Sequence, residues 1–162
     1  MKQSKKESAF IQVCNEMSSS GYEKKSFVIS GAKVLILGTV IALMPVVFLF
    51  VLYRMIYGLQ PDFSINYPVF IIQLLVSLIA HEFLHGLGWM IGGNCKGAQI
   101  AFGISSLFPY CYCKKPLSAK QYLIGAVFPF VILGVGISIL AVVFENLSIL
   151  ILAVMNLVLC GG

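Results

Sequence analysis

Residues 34–52 read VLILGTVIALMPVVFLFVL, nineteen residues without a charge. A helix needs about 20 mostly apolar residues to cross the hydrocarbon core of a bilayer. This run meets that length, and the chain repeats the pattern. Pro68 to Ile91, Tyr122 to Phe144, and Leu147 to the last residue are three further apolar stretches. Pro45 and Pro129 fall inside two of them and predict kinks, which membrane helices tolerate. The fourth stretch spans only residues 147–162, short for a full crossing. The expectation is an all-α membrane protein of about four transmembrane helices. Residues 1–32 form a polar leader and 33–162 one membrane-embedded domain.

Composition agrees. Apolar residues make up 59% of the chain and charged residues 10%. Soluble domains carry about 45–50% and about 25% respectively. A water-soluble fold of 162 residues could not hide that much apolar surface. The leader lacks the layout of a cleaved secretory signal, so the first span should remain as an anchor. Within the leader, MSSSGYEKK reads as a loop.

Lysine placement predicts orientation. Lys2, Lys5, Lys6, Lys24, Lys25 and Lys33 precede the first span, and Lys96, Lys114, Lys115 and Lys120 lie in the 92–121 loop. The other connections carry Arg54 with Asp62, and Glu145. The positive-inside rule then puts the N-terminus and the 92–121 loop in the cytoplasm. The net charge of +5 follows from this topology and from contact with anionic lipid heads. No basic face is left over for nucleic acid. The cysteines Cys14, Cys95, Cys111, Cys113 and Cys160 all fall on or near that side and read as reduced structural thiols, the CYC spacing at 111–113 being unlike a zinc pair.

The second apolar run holds the chemistry. Leu78 to Met90 reads LIAHEFLHGLGWM and contains both histidines of the chain. HEFLH is an H-E-x-x-H motif. On a helix, residues four apart share a face, so His81 and His85 can both turn a ring nitrogen to one ion. Zinc takes imidazole nitrogens at about 2.0–2.1 Å and keeps an open position when catalytic. Glu82 stands beside that ion, placed to relay a proton from water to a leaving amine. A structural polar cluster is the bland alternative. Ionisable residues within a membrane segment are rare and costly, which favours the metal. Counting back from Ile91 puts His85 on the order of 9 Å from the cytoplasmic end. Gly86, Gly88, Gly92 and Gly93 either allow close helix packing or simply end the helix near GGN.

HEFLHGLGWM, followed by LFPYCYCKKPLSAKQYLIGAVFPF at 107–130, resembles the zincin peptidases of bacterial membranes, a domain long described only as of unknown function. In plan it is similar to the site-2 protease class of intramembrane metalloproteases. The resemblance covers roughly residues 30–162. It implies a zinc-dependent peptidase with His81 and His85 as metal ligands and Glu82 as catalytic carboxylate. It also implies a bacterial cell-membrane location and membrane protein or peptide substrates, while the count from Ile91 puts the site nearer the cytoplasmic face.

Such enzymes draw a third ligand, an aspartate, from a later helix, a few residues after an Asn and next to a Gly. MNLVLCGG supplies Asn156, Gly161 and Gly162 but no Asp. The expectations are a chain that continues past Gly162, or a third ligand from Cys160, Asn156 or water. By the resemblance Asn156 steadies a substrate carbonyl; otherwise it bonds a neighbouring helix. The missing ligand is also what favours a non-catalytic membrane regulator over an enzyme. A transporter is the more distant reading, since there are no repeated broken helices. The segment from Gly93 to Gln121 reads as a membrane-surface loop in which AQIAFGISSLFPY alternates loosely enough for a strand or hairpin. Lys114 and Lys115 there suit lipid phosphates better than substrate.

Overall fold

The computed structural model describes all residues except 1–4, 27–29, 59–64, 93–94, 106–107 and 160–162. Its contacts divide the chain into two units, Met1–Ser30 and Gly31–Gly162.

In the first unit, helix α1 spans Lys5–Ser19. It runs into the segment expected to be a loop. The hydroxyls of Ser19 and Ser20 bond back to the Glu16 carbonyl at 2.8 and 2.9 Å and close the last turn. Gly21, at φ +85°, then reverses the chain, a conformation that suits a residue without Cβ.

The second unit is mostly helical with one small sheet. Helix α2 spans Gly31–Tyr57 and runs through Pro45 without interruption. Helix α3 spans Tyr67–Ile91. Its start is written in the sequence: Asn66 Oδ1 accepts the Val69 amide at 3.3 Å, and Pro68 fills a first-turn position needing no donor. Gly92 caps its end. A 3₁₀ turn, Gly97–Gln99, leads into strands β1, Ile100–Ser105, and β2, Phe108–Cys113. They form an antiparallel hairpin in which Ile100 faces Cys113 and Phe102 faces Cys111. The loosely alternating segment is therefore a hairpin.

Helix α4 spans Ala119–Pro129, opened by a reciprocal cap between Ser118 and Gln121. A π-helical turn, Phe130–Val135, joins it to α5, Gly136–Val143. Pro129 lacks an amide hydrogen, and the wider turn absorbs the interruption. After a turn at Phe144–Asn146, helix α6 spans Leu147–Leu159, its first turn capped by Asn146 Oδ1 on the Ile149 amide at 3.1 Å.

Among the described residues, three stretches are long and apolar enough to cross a membrane: Ile36–Tyr57, Tyr67–Ile91 and the continuous Ala119–Val143. Only 13 residues of α6 lie among those described, below crossing length. The spans present large apolar side chains outward, with Met44 75% and Ile79 65% exposed. Water would penalise such faces, while hydrocarbon does not. The inner core joins Leu49 and Tyr53 of α2 to Ala141 of α5 and Leu150, Ala153 and Leu157 of α6. Ala141 and Ala153 have no exposed surface, so α5 and α6 approach closely. The Tyr57 hydroxyl donates to the Val142 carbonyl, tying α2 to α5. Between α2 and the π turn an apolar cavity of about 300 Å³ remains, with Pro45 and Phe48 on one side and Phe130 and Ser138 on the other.

Helix directions follow from the connections. Along the α3–α4 contact, Gly92 meets Ile124 while Gly88 meets Gly125 and Phe128, so the two run antiparallel. The tight turn before α6 reverses the chain again. Helices α3 and α6 thus run the same way.

Candidate metal centre

His81, Glu82 and His85 lie on α3, and their ligand atoms all fall within 4.8 Å of one another. Among the described residues this is the group of His, Cys, Asp and Glu side chains that could hold a metal ion. The helical repeat does the first half of the work by stacking positions 81 and 85. His81 is buried and the other two are half-buried.

The imidazoles converge. His85 Nε2 and His81 Nε2 are 3.1 Å apart, with the rings nearly perpendicular at 81°. A tetrahedral ion at about 2.0–2.1 Å from each nitrogen would separate them by about 3.3 Å. The far side of His85 explains its orientation. Its Nδ1 donates to the backbone carbonyl of Gly125 on α4 at 2.9 Å. A carbonyl only accepts, so the proton belongs on Nδ1 and the lone pair of the neutral ring on Nε2, toward His81. A carbonyl behind the ring is the usual support of a metal-binding histidine. The donor set and its backing both fit zinc.

Packing fixes the rest. Trp89 stacks on His85 at 5.9 Å between ring centroids and donates its indole N–H to the Tyr122 carbonyl at 3.3 Å. A Cβ on Gly125 would collide with the Trp89 indole, which is why the helices can close here. On the other side, the hairpin face rests on Gly86. A Cβ there would meet Phe102 at 3.0 Å, Ile100 at 3.1 Å and Cys111 Sγ at 3.2 Å. Phe83 stacks with Phe102 at 6.3 Å. Burial pushes the Cys111 thiol up to about 11, and the nearby Glu82 carboxylate adds to that rise.

A family model described as "Putative zincin peptidase" matches residues 74–162. The chain belongs to this family. No curated protein and no solved structure matches it. In this zincin-family chain the matched region takes in the motif helix from Leu74, the hairpin and everything after it.

Asn156 is fully buried on α6. Its Oδ1 accepts the Ser77 hydroxyl of α3 at 2.6 Å and its Nδ2 donates to the Leu152 carbonyl at 2.8 Å. Of its two expected roles, this geometry is the interhelix bond. Ser77 precedes His81 by one turn, and α6 runs parallel to α3. Cys160, another expected third ligand, lies outside the described residues. Sequence reasoning did not single out Gly125, Ser77 or Trp89. A backbone carbonyl leaves no mark in a sequence, though Ser77 stands one turn ahead of the motif on the same face.

Proposed function

We propose that the chain is a zinc-dependent intramembrane metallopeptidase. The observation that carries this reading is the pair of imidazole Nε2 atoms facing each other at 3.1 Å on an apolar helix of crossing length, with Glu82 adjoining. The family supports a peptidase, and the donor set supports zinc. A zinc ion held by His81 and His85 would supply a Lewis acid that acidifies water and polarises a carbonyl. Glu82 accepts a proton from the attacking water and delivers it to the leaving amide nitrogen. The Gly125 carbonyl keeps His85 in the required tautomer. Trp89 and the hairpin pack beside the site, so charges act there at lower dielectric than in water. Each strand of the hairpin has one edge unpaired among the described residues, which suits an extended peptide segment added by main-chain bonds. Lysine placement supports a cytoplasmic N-terminus and a multi-pass membrane protein with its site toward the cytosol.

A second reading rests on one observation. The described residues bring two imidazoles and one carboxylate together and no third ligand besides. A membrane regulator that keeps the metal without hydrolysis would look the same. The Glu82→Gln variant separates the two. A peptidase should keep its zinc and lose cleavage of a membrane-protein substrate by a factor of about 10²–10⁴. Cleavage undiminished by Glu82→Gln would sink the catalytic assignment.

A further inference from the structure

Cys95 and Cys113 bring their sulfur atoms to 2.8 Å. Cys95 follows the end of α3 and is buried in a small cluster with Trp89 and Ile100. Cys113 is the last residue of β2 and is half-buried. Backbone bonds hold both in place. The Cys95 amide donates to the Trp89 carbonyl at 3.2 Å, and the Lys114 amide donates to the Gln99 carbonyl at 2.8 Å. A disulfide requires about 2.03–2.05 Å between sulfurs, so closure needs a shift of less than about 1 Å. The third cysteine of the region is otherwise engaged: Cys111 packs on Gly86.

We propose that Cys95 and Cys113 form a reversible dithiol–disulfide site that staples the hairpin to the end of α3, beside the metal centre. The oxidant class is a small-molecule disulfide such as oxidised glutathione. The Cys113 thiolate attacks one sulfur of that disulfide, giving a mixed disulfide and expelling one small thiolate. Cys95 then loses its proton to solvent and attacks Cys113 Sγ. The Cys95–Cys113 bond forms and the second small thiolate leaves. Two protein thiols are oxidised and one external disulfide is reduced to two thiols. Cys113 goes first because it is the more accessible. Burial pushes the Cys95 thiol up to about 11, its hydrogen bond with Cys113 adding to this and Lys115 opposing it. Resolution by Cys95 is accordingly the slower step at neutral pH.

The loop closed by this bond contains the 3₁₀ turn and both strands. Its inner face lies on Gly86, the residue after His85. A closed staple holds that face down, and an open one leaves its attachment to packing alone.

The test uses the full chain in detergent, oxidised with glutathione disulfide, quenched with N-ethylmaleimide and mapped by mass spectrometry. We expect a peptide linking Cys95 to Cys113, reversed by a reducing thiol. Cys95→Ser should trap one glutathione on Cys113, which keeps the test informative if Cys113→Ser fails to fold. Amide exchange across residues 96–113 should slow by at least about tenfold in the oxidised form. The proposal is overturned if Cys95 and Cys113 both stay alkylatable while Cys14 takes up glutathione. It is also overturned if the bond joins Cys111 instead, if exchange is unchanged, or if added zinc alone protects the pair. None of these readouts uses peptidase activity, so they stand or fall apart from the proposed function.

Discussion

The Gly125 carbonyl holds His85 Nδ1 at 2.9 Å, so a backbone atom of α4 decides which nitrogen a histidine of α3 offers to a metal. The bond crosses forty residues of sequence. It makes the metal centre a property of the helix pair and not of the motif helix alone.

Gly125→Ala should therefore weaken metal binding without touching a ligand. The added methyl collides with the Trp89 indole and forces the helices apart. Loss of a supporting partner of this kind typically costs about 10–100-fold in metal affinity. A chelator competition titration measures it. Gly136→Ala is the control, since its nearest neighbour would be Val131 O at 3.9 Å.

The Ser77–Asn156 pair predicts a coupling. Asn156→Ala leaves the buried Ser77 hydroxyl without that acceptor and should cost about 1–3 kcal/mol. Adding Ser77→Ala should cost little more, because the partner is already gone. Thermal unfolding of the four forms in one detergent reads this out. Simple additivity would mean the two side chains act independently.

Gly86 sets how closely the hairpin can lie. Gly86→Val should lift it, since even an alanine Cβ would crowd Phe102, Ile100 and Cys111. Faster amide exchange in both strands is the expected signature. Gly97→Ala, where the nearest atom is Met90 Sδ at 3.6 Å, should leave exchange unchanged.

Two thiols predict a loss of stability in alkali. Cys95 and Cys111 are both pushed from the ordinary value of 9.0 up to about 11 in the folded chain, chiefly by burial. Below pH 9.0 both states hold these protons and the groups contribute no pH dependence. Above it the unfolded chain releases protons that the folded chain retains, so stability falls as pH rises toward about 11. A Cys95→Ala, Cys111→Ala double variant should lose less across that window, measured by midpoints of thermal unfolding.

Much of the unit was legible in the sequence, and the reason is the solvent it implies. Hydrocarbon requires long apolar runs, so residues 34–52 and 68–91 announced themselves. A buried ionisable cluster stands out against such a background, so His81, Glu82 and His85 did too. The hairpin was harder to read. Its alternation is weak because both faces are partly apolar, from Phe102 and Ile104 on β1 to Tyr110 and Tyr112 on β2. The supports were legible only in part, Asn156 as an interhelix bond without its partner. Gly125 acts through a carbonyl that every residue possesses, and Ser77 finds Asn156 across 79 positions. The cysteines looked like separate structural thiols, yet Cys95 and Cys113 meet because the hairpin folds back on the end of α3.

The π-helical turn at Phe130–Val135 carries a consequence for how this span can vary. A π turn holds one residue more than the α turn it replaces. Deleting a single residue there would restore a regular α turn and leave the residues on either side close to the faces they now occupy. Gly125 would still face His85, and Ala141 would still face the core that it shares with α6 and α2. The wider turn thus absorbs one residue between two halves of a helix that keep different neighbours, one half the candidate metal centre and the other the bundle. A one-residue deletion in relatives should be tolerated within this stretch, whereas the same deletion inside α5 would turn the helix beyond it by about 100°.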